Sequence, residues 1–529
     1  MSIVEYHLFI KTCIICFYLD SCLILSLFRD LNEYLQYIKR QCVQQLTAKY
    51  QLISIIWIYD DVSIFINNIK YLQSIMRQFI SKNPATKQVL GEFKFLNDQE
   101  LNHVIQQSKE GYQINKNSSF QIKSEKLLKL ADLLNQNQEK YAKLISYEIG
   151  KPISQSMAEV KKSQNYCKYY AENINKYLQP QRVKTEAKNS YVQYSPIGTI
   201  YSISPFNFPF WLCFKPIIPM LAVGNAVIHR PSDSTGLCGL ALQELFTSAG
   251  FDGNIFQNAF TTAQQLDQVM AHPQIQGVSF TGSTAAGSII GATAGKYLKR
   301  SVLELGGSDP FCILQNANVE LAVQLALKSR VANCGQVCFS AKRFIVHFQY
   351  YDIFKEKLVN ALEKLKIGDP LLETTELGPM AREDLITNIL NQIKKGVDGG
   401  AKIVYGGKRL KENENFMLPT VVEVDEQNVL AKEETFGPLF SLIKANSNDE
   451  ILRIANNTSY GLGAVVVSND KKEIEQFVNH LEAGMVFVNE IVKSDQRLPS
   501  GGIKGSGYGR ECGEWGVQNF SNIKTVWIE

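Results

Sequence analysis

The feature that most constrains the fold is a regular alternation of strand-like and helix-like segments between residues 197 and 305. Apolar runs at 197–203 and 225–229 predict buried strands, and the segment 232–249 after the second run predicts a helix. A third apolar run, 278–280, leads into a glycine-containing turn and a further predicted helix. Strands that alternate with helices lie parallel in one sheet, and such sheets bind nucleotides at the carboxyl ends of their strands. The sequence therefore predicts an α/β fold with a nucleotide crevice.

The composition describes a globular chain with more than one core. The chain has 529 residues, of which 45% are hydrophobic, and its formal net charge of +4 is small for that length. One hydrophobic core seldom serves so many residues, so two or three domains are expected. The near-neutral charge argues against a nucleic-acid partner. The eleven cysteines are irregularly spaced and the six histidines form no ligand pattern, which argues against a disulfide framework and predicts that no metal is bound.

A cysteine at the end of a polar, glycine-containing turn is the candidate nucleophile. The stretch reads Asn333-Cys334-Gly335-Gln336-Val337-Cys338. We expect Cys338 to be exposed and activated, because a thiolate attacks carbonyl carbons readily. A backbone N–H at such a turn can hold the oxyanion that the attack creates. Cys334 has two interpretations: it is a partner for a protective disulfide with Cys338, or it is a small filler of the turn.

Two further polar residues stand where a cysteine-based mechanism needs them. Glu304 ends a strand-like run and is followed by glycines that let other backbone approach, so it is a candidate base. Asn207 lies between Pro205 and Pro209, which suits a rigid hydrogen-bond donor. An amide, a carboxylate and the thiol of Cys338 are the three groups that oxidation of an aldehyde through a thioester requires.

The turn from Gly282 to Gly287 follows a predicted strand and begins a predicted helix. N–H groups at the start of a helix attract an anion such as a phosphate. Two glycines at this spacing are, taken alone, more often a loop or a helix-packing device. The position between strand and helix nevertheless favours a cofactor site that includes Gly282, Ser283 and Gly287.

At these motifs the chain resembles the aldehyde dehydrogenase superfamily. Five motifs occur in the order of the family, and the likeness extends from about residue 83 to the C-terminus. They are Pro205 to Pro209, Gly282 to Gly287, Glu304 to Gly307, Asn333 to Cys338, and Glu434 to Pro438. The stretches 304–311 and 522–527 most resemble the bacterial-type succinate-semialdehyde dehydrogenase branch.

The resemblance implies an aldehyde dehydrogenase-like α/β fold in three parts. A Rossmann-like NAD(P)-binding domain would comprise residues 81–178 and 197–305, and a catalytic α/β domain would comprise residues 306–505. Residues 179–196 and 506–529 would form the oligomerisation arm of a homodimer or homotetramer.

The resemblance also assigns four residues to the cofactor. Arg230 and Asp233 would contact the adenosine ribose, whereas Glu434 and Phe436 would hold the nicotinamide ribose and ring. A carboxylate accepts hydrogen bonds from ribose hydroxyls but repels a 2′-phosphate, so Asp233 favours NAD, while Arg230 leaves NADP as an alternative. Locally, Arg230 and Asp233 also fit a surface arginine and a helix-capping aspartate.

The substrate assignment rests on a departure from the branch. Two positions that usually hold arginine, and that clamp a distal carboxylate, are Lys215 and Ala332 here. Lysine keeps the charge without the bidentate geometry. Ser494 matches a substrate-binding serine of the branch, and Lys493 could supply a replacement charge. Succinate semialdehyde is therefore the expected small-molecule substrate, although Lys215 could equally lay its stem on apolar surface, which would leave uncharged aldehydes as the alternative.

Two other functional classes compete with this interpretation. A non-catalytic structural or binding member of the family is disfavoured because Asn207, Glu304 and Cys338 are all present. A CoA-acylating dehydrogenase commonly lacks a base at the position of Glu304, so hydrolysis of the thioester is favoured.

The first 80 residues lie outside the resemblance and have no assigned role. The apolar run 13–28 is interrupted by Asp20, and the run 52–59 is followed by two aspartates, so neither matches a membrane span of about 20 residues. A membrane anchor is the less favoured alternative to a docking extension. We expect a cytoplasmic protein, with mitochondrial or membrane-associated locations as alternatives.

Overall fold

The computed structural model describes residues 78–411 and 414–529. The apolar runs 13–28 and 52–59 therefore lie outside the described residues, and the prediction about a membrane anchor stays a prediction. Among the described helices, none combines the length and the apolar character that crossing a bilayer requires.

Strands and helices alternate through most of the described chain. The strands are β1 (Gln78–Lys82), β2 (Val89–Lys94), β3 (Gln181–Arg182), β4 (Asn189–Pro196), β5 (Thr199–Ile203), β6 (Ala226–Arg230), β7 (Phe256–Asn258), β8 (Ile275–Thr281), β9 (Arg300–Glu304), β10 (Asp309–Ile313), β11 (Ala341–His347), β12 (Lys402–Tyr405), β13 (Thr420–Glu423), β14 (Leu439–Ala445), β15 (Gly463–Val467), β16 (Met485–Val488), β17 (Gly507–Tyr508) and β18 (Ser521–Ile528). The α-helices are α1 (Asp98–Asn117), α2 (Phe120–Gln136), α3 (Gln138–Ile149), α4 (Ile153–Tyr177), α5 (Trp211–Val223), α6 (Gly236–Ser248), α7 (Leu266–Ala271), α8 (Thr284–Lys296), α9 (Val319–Val331), α10 (Tyr351–Leu362), α11 (Glu383–Asp398), α12 (Val429–Lys432), α13 (Asn448–Asn456), α14 (Lys471–His480) and α15 (Gly513–Asn519).

A six-stranded sheet is built from the segment in which the sequence predicts parallel strands. Its order is β17-β9-β8-β5-β6-β7, and all pairs are parallel except β17 with β9. Helices α1, α5 and α8 pack on its strands, which explains why β5 and β6 are almost continuously buried. The predicted Rossmann-like α/β class is confirmed.

A seven-stranded sheet forms a second core. Its order is β12-β13-β14-β11-β10-β15-β16, with every pair parallel except β12 with β13. Every residue of β10, β11 and β15 is buried. Because β11 lies at the centre of this sheet, the loop that leads into it is anchored on both sides.

A separate three-stranded sheet has the order β18-β4-β3. Strand β18 pairs antiparallel with β4 over eight residues, from Ser521 to Ile528. Its large apolar side chains Ile523 and Trp527 are about half exposed, at 54% and 50%. The prediction that these segments join subunits stays a prediction.

Candidate active site

The six-stranded sheet brings four predicted site segments to one edge. Strands β5, β6, β8 and β9 are parallel, so their carboxyl ends lie at the same edge. The chain that leaves these ends carries, in the same order, Asn207, Arg230, Gly282 and Glu304. This edge is where nucleotides bind in doubly wound sheets.

The seven-stranded sheet supplies the other side of the site from its amino ends. Cys338 lies just before β11, and Glu434 and Phe436 lie just before β14. The two edges meet through direct contacts. The Gly307 N–H donates to Glu434 Oε1 at 3.1 Å, and the rings of Phe206 and Phe436 lie edge to face with centroids 6.2 Å apart.

Asn207 is fastened to the cysteine loop. Its Nδ2 donates to the carbonyl oxygen of Gln336 at 2.8 Å, and its own carbonyl accepts from Asn333 Nδ2 at 2.9 Å. The side chain is buried, and one N–H of the amide is left for a further acceptor. The position predicted for an oxyanion donor is therefore rigid and adjacent to the nucleophile loop.

The cysteine loop has an unusual backbone. Asn333, Cys334 and Gly335 have φ values of 48°, 56° and 72° in succession. A left-handed conformation costs energy for residues other than glycine, so surrounding contacts must hold it. A Cβ on Gly335 would lie 2.2 Å from the Gly437 carbonyl oxygen, which shows how closely the segment before β14 covers this turn.

Arg330, at the end of α9, makes several of the contacts that hold this backbone conformation. Its guanidinium is fully buried, and it donates to the carbonyl oxygen of Leu439 at 2.8 Å and to Thr435 Oγ1 at 3.0 Å. It also contacts the Gly335 carbonyl at 3.5 Å. Arg330 was not predicted from the sequence, and no local signal distinguishes it, because α9 also carries the charged residues Glu320 and Lys328.

Cys338 is only partly exposed, and both burial and nearby charges act on its thiol. Burial raises the pKa of this thiol to about 12, against the opposing charges of Lys342 and Lys215. Nearby Glu304 and Glu434 act in the same direction as burial. Desolvation therefore outweighs the nearby cations in this structure, and the activation of the Cys338 thiol stays a prediction. Cys334 is buried in the apolar core, which fits a filler of the turn.

Glu304 belongs to a buried triad of charges. Lys215 Nζ lies 3.3 Å from Glu304 Oε2 and 2.7 Å from Glu511 Oε2, and all three side chains are buried. Burial, opposed by Lys215 and reinforced by Glu511, raises the pKa of Glu304 to about 7. Its second oxygen, Oε1, is buried without a hydrogen-bond partner in the described chain. A carboxylate in this setting can take a proton near neutral pH.

The same triad bears on the predicted substrate clamp. The Lys215 ammonium has two carboxylate partners, one of which, Glu511, the sequence analysis missed. Its stem is not laid on open apolar surface, because the whole residue is buried within α5. The clamp role stays a prediction, but the two ion pairs weigh against it.

The predicted phosphate turn is a helix start held by packing. Ser283 caps α8, its Oγ accepting from the Ala286 N–H at 3.3 Å. Ideal Cβ atoms on Gly282 and Gly287 would each lie 2.3 Å from a neighbouring side chain, so both glycines are needed for packing. Ser283 is exposed, and the first N–H groups of a helix lack intrahelical partners, so the turn fits a phosphate.

Arg230 and Asp233 form an ion pair with an Nη2–Oδ1 distance of 2.6 Å. Arg230 also donates to the carbonyl oxygens of Thr261 and Pro231, whereas Asp233 is about half exposed. The local helix cap is Ser232, whose Oγ accepts from the Ser234 N–H, rather than Asp233. The Asp233 carboxylate is therefore available to ribose hydroxyls.

Glu434 and Phe436 line a cavity of about 610 Å³ together with α11. A Cβ on Gly306 would lie 2.3 Å from Glu434 Oε2, so only glycine permits this approach. The open cavity, the partly exposed carboxylate and the aromatic ring together fit a ribose and a flat heterocycle.

The other predicted substrate residues are more dispersed. Ser494 is buried, with its Oγ 3.4 Å from Ser500 Oγ, whereas the exposed Lys493 pairs with Glu490 at 3.0 Å. Lys162 on α4 was not identified from sequence. Its Nζ lies 4.1 Å from the centroid of the Trp211 ring. In the part of the chain that the structure describes, this ammonium forms no ion pair, although Asp495 lies within electrostatic reach.

The comparison with protein families settles the family. The model described as the aldehyde dehydrogenase family matches residues 71–526. The chain belongs to the aldehyde dehydrogenase family. It is therefore an NAD(P)-dependent oxidoreductase, as the motifs predicted, and the recognition from sequence is confirmed.

Relatives and solved structures agree with this membership. A probable succinate-semialdehyde dehydrogenase [NADP(+)] from Synechocystis is 37% identical over 447 residues, which cover 84% of this chain and 98% of that protein. A succinate semialdehyde dehydrogenase [NAD(P)+] from Escherichia coli is 36% identical over 449 residues, covering 85% and 97%. The crystal structure of succinic semialdehyde dehydrogenase from Streptococcus pyogenes with NADP+ matches with a TM-score of 0.83 and 32% identity, covering 85% and 99%.

No group of three or more His, Cys, Asp or Glu side chains within residues 78–411 and 414–529 could hold a metal ion. The expectation that no metal is bound stays a prediction.

Proposed function

We propose that the protein oxidises succinate semialdehyde to the dicarboxylic acid through a thioester on Cys338. Relatives at 36% and 37% identity carry that substrate in their names. The single observation that carries the chemistry is the meeting of Asn207, Glu304 and Cys338 between two sheet edges, with Glu304 Oε1 unpartnered. An amide donor, a base and a nucleophile are then in one place.

The first step uses the cysteine loop. The Cys338 thiolate attacks the aldehyde carbon, and the oxyanion is held by the free N–H of Asn207 Nδ2 and by the Cys338 backbone N–H. Lys342 and Lys215 favour the thiolate electrostatically. The rigid fastening of Asn207 to Gln336 keeps the donor in place while charge develops.

The second step uses the buried charge triad. The thioester would form once the attacked carbon has lost its hydride to bound NAD(P)+. Glu304 takes a proton from the water that then attacks the thioester carbonyl, and Cys338 leaves as the thiolate. With its pKa raised to about 7, Glu304 is a good base near neutral pH. Lys215, itself paired with Glu511, binds the Oε2 side of the Glu304 carboxylate, which leaves Oε1 for the water.

We assign the cofactor to the crevice between the two sheets. Arg230 and Asp233 would hold the adenosine ribose. Gly282, Ser283 and Gly287 belong to the start of α8, which would face the phosphates. Glu434 and Phe436 would hold the nicotinamide end. Bound NAD(P)+ supplies the hydride acceptor that the oxidation needs. Asp233 favours NAD. Turning Arg230 away from Asp233 would accommodate the 2′-phosphate of NADP, the cofactor that the name of the Synechocystis relative contains.

The distal carboxylate of the substrate needs a cation that no protein carboxylate already occupies. Lys215 and Lys493 both have carboxylate partners. We therefore place Lys162 and Ser494 against this carboxylate. The Lys162 ammonium lies over the ring of Trp211. Trp211 is one helical turn before Lys215 on α5, so the Lys162 ammonium faces the same region as Lys215.

One assay tests the activity. Reduction of NAD and of NADP would be followed with succinate semialdehyde and with the uncharged aldehyde butanal, each with and without CoA. We expect the highest kcat/KM with succinate semialdehyde and no dependence on CoA. A preference for butanal would contradict the assignment of succinate semialdehyde as the substrate. A requirement for CoA would contradict hydrolysis of the thioester by water.

A pair of variants tests the carboxylate contact. Lys162→Met should raise KM for succinate semialdehyde about tenfold, the effect of losing one charge-assisted contact, and spare butanal. Lys161→Met removes an exposed neighbouring lysine on the same helix and serves as the control. An equal loss with both aldehydes would show that Lys162 only supports Trp211.

We also propose a homodimer or homotetramer that uses residues 179–196 and 506–529, and a cytoplasmic location. The half-exposed apolar side chains of β18 support the first of these proposals. Light scattering of the wild type, and of a variant with Trp527→Lys, tests it, because a monomeric wild type would contradict the assignment. The domain boundaries given above are likewise proposed, although β17 of the last segment pairs with β9 and so belongs to the six-stranded sheet.

A further inference from the structure

Lys342 is a buried lysine directly behind the proposed nucleophile. It is the second residue of β11, its side chain is fully buried, and it follows Cys338 by four positions. Lysine is rarely buried without a role for its charge. No motif of the sequence analysis includes it, because the spacing from Cys338 carries no recognised meaning.

The Lys342 ammonium holds the cysteine loop by its carbonyl oxygens. Its Nζ donates to Val337 at 3.2 Å, to Ser340 at 3.1 Å and also to Cys338. The charged ammonium has three N–H donors, one for each of these three carbonyls, whereas a neutral amine has only two. The loop conformation is therefore matched to the charged form of Lys342.

The same ammonium faces the proposed cofactor residue Glu434. Lys342 Nζ lies 3.9 Å from Glu434 Oε1, which also accepts from the Gly307 N–H. A Cβ on Gly307 would lie 2.9 Å from the Cys338 carbonyl oxygen, so the carbonyl that binds Lys342 is tightly enclosed. One buried cation thus contacts both the nucleophile loop and the carboxylate at the nicotinamide end.

We propose that Lys342 is a positioning residue that fixes the Cys338 loop, stabilises the Cys338 thiolate by its charge and links that thiolate to Glu434. This inference rests on the proposed role of Cys338 as nucleophile. It goes beyond that role because Lys342 touches neither the aldehyde nor the reacting atoms. The charge acts through a buried environment, where electrostatic effects are larger than in water.

Several charged groups set the electrostatics of this thiol. Cys338 is influenced by Lys342, Lys215, Glu304 and Glu434, and Lys342 itself is influenced by Glu434, Asp309 and Arg330. Among the cations, Lys342 opposes the burial-induced rise in the pKa of Cys338 most strongly. Burial also lowers the pKa of Lys342, whereas Glu434 and Asp309 raise it and so favour the charged form.

The test measures the thiol itself rather than turnover. The rate of alkylation of Cys338 by iodoacetamide would be followed against pH in the full-length protein, without aldehyde or cofactor, by mass spectrometry of the peptide that contains Cys338. We expect Lys342→Met to displace the rising limb of the alkylation profile, measured below the midpoint at pH values where the protein stays folded, toward higher pH by about one pH unit or more, the usual effect of losing a nearby opposite charge. Alkylation at a fixed pH below the midpoint should then fall about tenfold.

Two variants separate the charge from the loop contacts. Lys342→Gln is neutral but can still donate hydrogen bonds to two carbonyls, so it should fold better than Lys342→Met and show the same upward shift. Lys123→Met removes another buried lysine, which contacts the Val223 carbonyl at 3.4 Å and is not among the groups that influence Cys338. This control should leave the alkylation profile unchanged.

The outcomes are distinguishable from a failure of the proposed function. An unshifted profile in folded Lys342→Gln overturns the inference, whatever the substrate proves to be. A shift in that variant supports it even if the wild type oxidises no aldehyde in the panel. An equal shift in Lys123→Met would also overturn it, since loss of any buried lysine would then suffice.

Discussion

Replacing Lys215 by methionine should destabilise the protein in a manner that depends on pH. Lys215 is the buried partner of Glu304 and Glu511, so its removal leaves two buried carboxylates with no cation of the described residues within ion-pair distance. Buried carboxylates then bind protons rather than remain charged. Burial raises the pKa of Glu304 to about 7 even beside Lys215, so the main new cost is that of the second buried carboxylate, which loses its ion pair with Lys215.

The magnitude follows from the difference between the assay pH and the ordinary pKa of a glutamate. Protonating a carboxyl with a pKa of 4.5 at pH 7.5 costs about 4 kcal/mol, at about 1.4 kcal/mol per pKa unit. A carboxyl whose pKa is raised on folding makes the folded protein less stable as the pH rises. The loss should therefore be about 4 kcal/mol at pH 7.5 and below about 1 kcal/mol at pH 5.

Urea unfolding of wild type and Lys215→Met at the two pH values measures this directly. The double variant Lys215→Met with Glu511→Gln is the matched control, and it should regain most of the stability at pH 7.5 because only one carboxyl remains. Both variants should lose activity with charged and uncharged aldehydes alike, because Glu304 becomes a poor base. A loss under about 1 kcal/mol at pH 7.5, or one that does not change with pH, would refute the triad.

The remaining predictions concern the oxyanion, the cofactor and the base. Asn207→Ala should lower kcat about 10²–10³-fold, the loss typical of one preorganised donor, and a drop of less than about tenfold would assign Asn207 to structure alone. Asp233→Ser should raise the kcat/KM ratio of NADP to NAD about tenfold, since it removes a repulsive carboxylate and frees Arg230; an unchanged ratio would contradict the ribose assignment. Steady-state kcat should rise with pH through about 7 as Glu304 loses its proton, whereas the pre-steady-state burst of NAD(P)H should not follow this titration.

The motifs could be predicted from sequence because each has a local signature. Asn207 is fixed by flanking prolines, Glu304 by the glycines after it, and Cys338 by its turn, and the parallel sheet follows from the strand and helix rhythm. What these signatures cannot give is which distant charges share a buried volume. Glu511 is almost 300 positions from Lys215, and only the packing of the sheet edges brings them together.

The state of the thiol could not be predicted for the same reason. The turn at Cys338 indicates a nucleophile, but the pKa of the thiol depends on the balance between burial, two carboxylates and two cations, all from distant segments or from β11. Arg330 and Lys342 likewise carry no local signature, since each acts by binding carbonyl oxygens of a loop whose shape is set elsewhere. Sequence reasoning found the reacting groups, whereas the residues that hold them required the structure.

The central claim is a thioester on Cys338 that Glu304 resolves. Glu304→Gln enzyme would be mixed with succinate semialdehyde and NAD(P)+, quenched with acid after the burst and analysed by mass spectrometry of its peptides. The account predicts one burst of NAD(P)H and a succinyl group on the peptide that contains Cys338, with no adduct in Cys338→Ala. NAD(P)H formed without an adduct, or an adduct on another cysteine, would contradict it.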